Sequence, residues 1–326
     1  MSARMKIRFD NQKKRRRSQH KKQRLSKLVL LASAALLVAC AVLLIRYGWQ
    51  TLEARKLQKE VQADYAAAVN AAQQQSTPAL ENADAQQSPL PDAQNETELN
   101  LAAVPQTPDT PAPLAASTVI RDQFLSLYSK NKDLAGWLKS DAVPEIDFPV
   151  VLRDNDYYLY RDFYGRQSMS GTIFLDQSTQ IQPRSQNLVL HGHNMKNGTM
   201  FGKLYQYLDI ARVRTSPLIE FSTLYETSLY VPYAVSLVSV DADSPRFVPL
   251  VHPTFSTEGE AGAYAGVLKG MSSFQLPIDV SDGDRLLTLV TCHGDEQHER
   301  LVVAFRELRQ DENKETIAAL FAQFGG

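Results

Sequence analysis

Arg285-Leu-Leu-Thr-Leu-Val-Thr-Cys292 is an apolar run that ends in a cysteine, and Arg300 heads a second run, Leu301-Val-Val-Ala-Phe305. Both have the length and the aliphatic, β-branched character of strands, and the residues between them, His293 to Glu299, are polar or glycine. Side chains alternate along a strand, so Leu286, Thr288, Val290 and Cys292 share one face, as do Arg300, Val302 and Ala304 on the next. With 293–299 as a hairpin connection, Cys292 and Arg300 meet at its mouth, where paired Cβ atoms lie about 5 Å apart. A guanidinium at that position favours the thiolate and can donate to the oxyanion that forms when a thiolate attacks a carbonyl. The plain alternative is an arginine on a barrel rim beside a buried, idle cysteine.

The compartment bears on that choice. The chain of 326 residues has a net charge of −1, which hides a strong asymmetry. Residues 1–27 carry twelve Lys or Arg against one acid, Asp10. Lys13-Lys-Arg-Arg-Arg17 alone resembles a nucleic-acid patch. The uncharged run Leu28 to Ile45, closed by Arg46 with Tyr47 and Trp49 beyond, changes that reading. As a helix it rises about 27 Å, close to the hydrocarbon thickness of a bilayer. Basic residues hold the preceding end in the cytoplasm, and the aromatics suit the far interface. Residues 28–46 therefore read as a single-pass anchor with 1–27 as a cytoplasmic tail and the remainder outside. A cleaved signal peptide would end its apolar stretch sooner. Leu37-Val-Ala-Cys40 resembles a lipoprotein processing site, but the apolar run continues past Cys40. Cys292 is then the only cysteine of an exported domain, with no internal disulfide partner: idle, or a nucleophile.

Residues 47–75 read as a helical stalk, with Leu52, Leu57, Val61, Tyr65 and Ala68 at roughly helical spacing. Residues 76–116 are rich in Pro, Ala, Gln, Asp, Thr and Ser and nearly free of aromatic and large β-branched residues, the composition of a flexible linker, spanning roughly 35 Å if disordered. Residues 117–326 form the folded domain. A helix is predicted over Val119–Lys130, then strands over 146–152, 171–175, 187–191, 229–240, 285–291 and 301–305. Two helices interrupt them, Met200–Leu208 capped by Thr199, and Glu258–Met271. Many strands with few helices give a mainly β fold, a closed or nearly closed barrel with peripheral helices.

A cysteine nucleophile needs a base. His20 is cytoplasmic, His252 lies in a Val-His-Pro turn, His293 points away from its neighbour Cys292 in extended chain, and His298 lies in the connection. His191 and His193 end a strand and enter the turn Gly192-His193-Asn194-Met195; alternation alone does not choose between them. A His-x-His pair plus a cysteine is a zinc pattern, but no carboxylate or second cysteine lies at ligand spacing. No cofactor is expected.

Taken together, Thr288-Leu-Val-Thr-Cys292 followed by Arg300-Leu-Val-Val303, and Leu190-His-Gly-His193-Asn-Met followed by Gly198-Thr-Met-Phe201, resemble the class B sortases, membrane-anchored cysteine transpeptidases of Gram-positive surfaces. Asn131-Lys-Asp-Leu-Ala-Gly-Trp137, Ile146-Asp-Phe-Pro-Val-Val151, Asp154-Asn-Asp-Tyr-Tyr-Leu159, Gly171-Thr-Ile-Phe-Leu-Asp176 and Thr223-Leu-Tyr-Glu-Thr227 extend the resemblance over residues 120–308. It implies a barrel of about eight strands, an N-terminal helical pair, and helix 258–271 between the sixth and seventh strands. It also implies the catalytic set His193, Cys292 and Arg300, and a hydrolase-class cysteine peptidase that cleaves a C-terminal sorting motif after Thr. The implied partners are surface proteins or pilins bearing that motif, and a peptidoglycan precursor or pilin amine; no nucleic acid is implied. The loop 293–299 is short and acidic for its place beside the site. The non-enzymatic alternative is a tethered barrel that binds peptides or acts as a scaffold at the surface.

Overall fold

The structure is a computed structural model that describes residues 3–75, 118–292 and 298–324. The linker read over 76–116 and most of the loop 293–299 lie outside the described residues. The chain forms two compact units, Met1–Lys56 and Leu57–Gly326. Helix α1 (Ala3–Gln75) begins in the first unit, where it carries the apolar run with its large side chains exposed from Val29 to Ile45, and its residues from Leu57 on belong to the second. Among the described residues it is the one helix long and apolar enough to cross a membrane. Within its exposed stretch Trp49 Nε1 donates to Glu53 Oε1 at 3.2 Å, one helical turn on.

The second unit is a closed barrel. Helix α2 (Asp122–Lys130) precedes strands β1 (Leu134–Ser140), β2 (Asp147–Leu152), β3 (Ile173–Leu175) and β4 (Asn187–His191). Helix α3 (Ile210–Thr215) leads to β5 (Ile219–Thr223) and β6 (Thr227–Ser239), helix α4 (Glu260–Gly270) to β7 (Leu286–Cys292) and β8 (Glu299–Glu307), and α5 (Lys314–Gln323) ends the fold. The strand order is β1-β2-β3-β4-β7-β8-β6-β5, with β5 pairing back to β1. Closure brings β1 very near β5: a Cβ on Gly136 would lie 2.2 Å from the Ser222 carbonyl oxygen, so only glycine fits there. One face of the ladders, carrying Leu138, Phe148, Val150, Ile173, Leu190, Leu289, Val303 and Phe221, is fully or almost fully buried. Closing the sheet leaves no edge strand and gives these aliphatic residues a common interior.

Several local expectations shift. The first domain helix starts at Asp122 rather than Val119, because Arg121 is extended and its N–H bonds the Leu224 carbonyl at 2.9 Å. The segment 200–208 is a 3-10 helix over Phe201–Leu208, and Thr199 does not cap it. Thr199 instead donates from N and Oγ1 to Asn197 Oδ1, at 3.0 and 2.7 Å, while Met200 adopts φ 52°. Strands β1 and β5 and helices α3 and α5 were not legible as such. Helix α5 opens with a capping box between Asn313 and Thr316, a signal present in the sequence but easily passed over.

Candidate active site

Strand β7 runs between β4, to which it is parallel, and β8, to which it is antiparallel. Both neighbours deliver a polar side chain to its C-terminal end. On the β8 side the last register pair is Cys292 with Arg300, the hairpin mouth expected from the two apolar runs. Side chains alternate along β8, so Arg300 belongs to the face that carries Val302 and Ala304, opposite Val290 and Thr288 on β7. Arg300 is half-buried and its Nη1 donates to the Glu299 carbonyl at 2.9 Å. The Glu299 carboxylate alternates to the other face and is engaged by Arg246, Nη1 to Oε1 at 3.0 Å.

On the β4 side, Asn187 to His191 pair in order with Leu286 to Val290, each partner 99 residues on. The ladder ends at His191 opposite Val290; His193 follows two positions further on β4's side, as Cys292 does on β7's. Two hydrogen bonds keep the chain in step beyond the ladder. The Gly192 N–H donates to the Val290 carbonyl at 3.2 Å, and Thr291 Oγ1 donates to the Gly192 carbonyl at 2.7 Å. Gly192 lets the turn pack closely: a Cβ there would lie 2.4 Å from Ile173 Cδ1 and 2.7 Å from Phe201 Cδ2, so both side chains would have to shift. His193 Nε2 lies 2.7 Å from the Leu159 carbonyl oxygen. A carbonyl only accepts, so Nε2 carries the proton of this bond, and in the neutral ring Nδ1 is the acceptor. The Tyr160 ring lies 5.6 Å from the imidazole.

Of the other histidines, His191 is opposite Val290 on β7 but is held by a carboxylate. His191 Nε2 lies 3.1 Å from Asp176 Oδ2, with Phe174 against its ring. Asp176 is only 3 % exposed, and burial alone would raise its pKa. Hydrogen bonds from His191 and from the Ser178 hydroxyl and N–H outweigh that and hold the carboxyl well below the usual range. His252 stacks on Phe255, His298 is exposed, and His293 lies outside the described residues. Reading the sequence missed the Leu159 carbonyl, the Thr291 hydroxyl and the Asp176–His191 pair. Leu159, Asp176 and His191 lie in motifs quoted above, but backbone acceptors and cross-strand hydroxyls leave no mark of their own in a sequence.

A closed barrel whose strand β7 ends in a cysteine, with an arginine paired opposite it on β8, is a frame that thiol-based acyl transfer can use. The Sortase domain family matches residues 142–307. Sortase B of Listeria monocytogenes is 31% identical over 207 residues, covering 63% of this chain and 81% of that protein. The Clostridium perfringens sortase B structure is 30% identical with TM-score 0.51, covering 56% of this chain and 98% of that one. A Staphylococcus aureus sortase B–substrate complex is 26% identical with TM-score 0.53, covering 59% of this chain and 88% of that one. This chain belongs to the sortase family, in its class B branch. That membership makes it a sortase-type transpeptidase.

Proposed function

We propose that the chain is a membrane-anchored cysteine transpeptidase, with its N-terminus cytoplasmic and its barrel on the outer face. It cleaves a C-terminal sorting motif of the Asn-Pro-x-Thr kind after the threonine. The Cys292 thiolate adds to the threonine carbonyl carbon, and Arg300 donates to the oxygen that becomes negative. The C–N bond then breaks as His193 gives its proton to the leaving amine, and a thioester to Cys292 remains. An incoming amine, from a cell-wall precursor or a pilin lysine, adds to the thioester and returns a proton to His193. The new amide leaves and the thiolate is regenerated. With Nε2 held by the Leu159 carbonyl, Nδ1 is the nitrogen that carries the exchanged proton. Surface proteins or pilins with the motif are the acyl donors.

The observation that carries this reading is the double register on β7, with Arg300 opposite Cys292 on one side and, on the other, β4 ending at His191 opposite Val290, two residues before His193. It is tested by mass spectrometry of the protein after incubation with a sorting-motif peptide. Wild type forms the acyl adduct; Cys292→Ala does not; His193→Ala loses nearly all turnover, while His191→Ala and His298→Ala retain most of it. An adduct on folded Cys292→Ala, or a wild-type rate for His193→Ala, would reject the assignment. A barrel that binds the peptide without ever acylating would be a scaffold.

A further inference from the structure

The residues on either side of 76–116 converge on one patch of the barrel. Beyond it, α2 buries Phe124 and Leu127 against the outer side of β1 and β2. Before it, the last part of α1 packs into the same cluster: Leu57, Val61 and Tyr65, four residues apart, form one helical stripe. Val61 is 1 % exposed. The Tyr65 ring stacks on Trp137 of β1 at 4.0 Å between centroids and 7° between planes. Trp137 is 2 % exposed, and its Nε1 donates to Asp147 Oδ1 at 2.6 Å. Polar contacts fix the helix along and around its axis. Gln62 Nε2 donates to the Asp147 carbonyl at 2.7 Å, Gln123 Nε2 to the Tyr65 hydroxyl at 3.1 Å, and Lys130 pairs with Asp64.

We propose that this patch is a binding site for the chain's own residues 57–75, which hold the barrel without help from the covalent connection through 76–116. The stalk and linker reading makes 76–116 the sole tether, so that one cut in it frees the catalytic domain. The packing gives a different outcome. Residues 57–75 are continuous in sequence with the apolar helix, and their own contacts keep the barrel attached after a cut. A proteolytic nick in 76–116 therefore does not shed the enzyme. A covalent connection holds the two parts at a raised effective concentration, so docking survives a cut only when the contacts themselves bind below the working concentration. The stripe has one fully buried aliphatic residue, an aromatic stack on a buried tryptophan and two uncharged hydrogen bonds, the well-packed anchors in which binding energy concentrates.

The chain's two tryptophans are Trp49 and Trp137, so in Trp49→Phe the emission reports the docked face alone. The full chain in mild detergent, with an N-terminal tag and a specific protease site inserted within 76–116, is cut to completion at about 1 μM and passed over tag-binding resin. The barrel fragment is expected to stay on the resin with Trp137 emission unchanged. Tyr65→Ala and Val61→Asp are expected to raise the unbound barrel about tenfold or more after cutting, with red-shifted emission, while Tyr65→Phe stays bound. All three changes lie on the helix, and thermal unfolding of the eluted barrel shows whether it is folded. Release of the wild-type barrel on cutting, folded or not, overturns the proposal. So does retention of the cut Tyr65→Ala and Val61→Asp proteins to the wild-type extent. The readouts make no use of Cys292 or of a membrane, so their failure leaves the transpeptidase reading untouched.

Discussion

Thr291→Val removes one hydroxyl and almost nothing else. The side chain is buried, close to valine in shape, and spends its hydroxyl on the Gly192 carbonyl at 2.7 Å. Losing a hydrogen bond of this kind costs about 1 kcal/mol net, and leaving the half-buried Gly192 carbonyl without that donor moves the cost toward the lower part of the roughly 1–3 kcal/mol of a fully buried orphan. Taking about 1.5 kcal/mol for a folded unit of this size, Tm falls by roughly 3–6 °C. A domain that is stable by several kcal/mol stays folded at 25 °C, so lost stability alone leaves activity unchanged. The Gly192 carbonyl, however, adjoins His193, and the bond from Thr291 is one of two that keep the His193 turn in step with β7 beyond the ladder. On the role proposed for His193, an imidazole released from this bond is misplaced, and a small misplacement of a catalytic group costs up to about a hundredfold. Single-turnover acylation by a sorting-motif peptide should therefore drop by ten- to a hundredfold (an order-of-magnitude expectation). The same preparation should show the modest Tm loss and unchanged peptide affinity. A Thr291→Val protein with wild-type acylation and wild-type Tm would refute the positioning argument. A large Tm loss with full activity would confine the bond to stability.

Arg300→Lys keeps the charge but loses the planar fork, and removing one oxyanion donor costs ~3 kcal/mol, or roughly a hundredfold in rate. The deficit should appear in acylation with the fold intact; an unchanged acylation rate in folded protein would make Arg300 a structural rim residue. Asp176 has a depressed carboxyl pKa, so its contribution to stability is fully present above the reference value of about 3.9 and is lost as pH falls below it. The Tm gap between wild type and Asp176→Asn should accordingly be wide at pH 6 and shrink toward pH 3; a gap independent of pH would refute the role given to those hydrogen bonds.

Local chemistry carried the reading a long way. The apolar runs before Cys292 and after Arg300 specify a hairpin because alternation and a polar connection leave those residues few other arrangements, and the pairing of Cys292 with Arg300 follows from strand geometry. The uncharged run from Leu28 to Ile45 marks a helix long enough to cross a bilayer by length and composition alone. Strands β1 and β5 were not legible because their signals are mixed. Leu134-Ala-Gly-Trp carries a glycine that only the closing contact with Ser222 explains. The choice between His191 and His193 was equally out of reach of alternation, since two residues apart they fall on the same side of an extended chain.

What the sequence by itself determined are the features set by near neighbours in the chain: periodicity, apolar length, turn chemistry and the hairpin that joins a thiol to a guanidinium. The tertiary structure decided what depends on residues far apart. The parallel pairing of β4 with β7 sets His191 opposite Val290, so that His193 and Cys292 each follow two residues beyond a paired position. The Leu159 carbonyl, from a third segment, selects which nitrogen of that ring holds its proton. The stack of Tyr65 on Trp137 joins the end of the stalk helix to the barrel wall. Each of these is a contact across a closed surface, and a chain shows such contacts only once its strands have been ordered around the barrel.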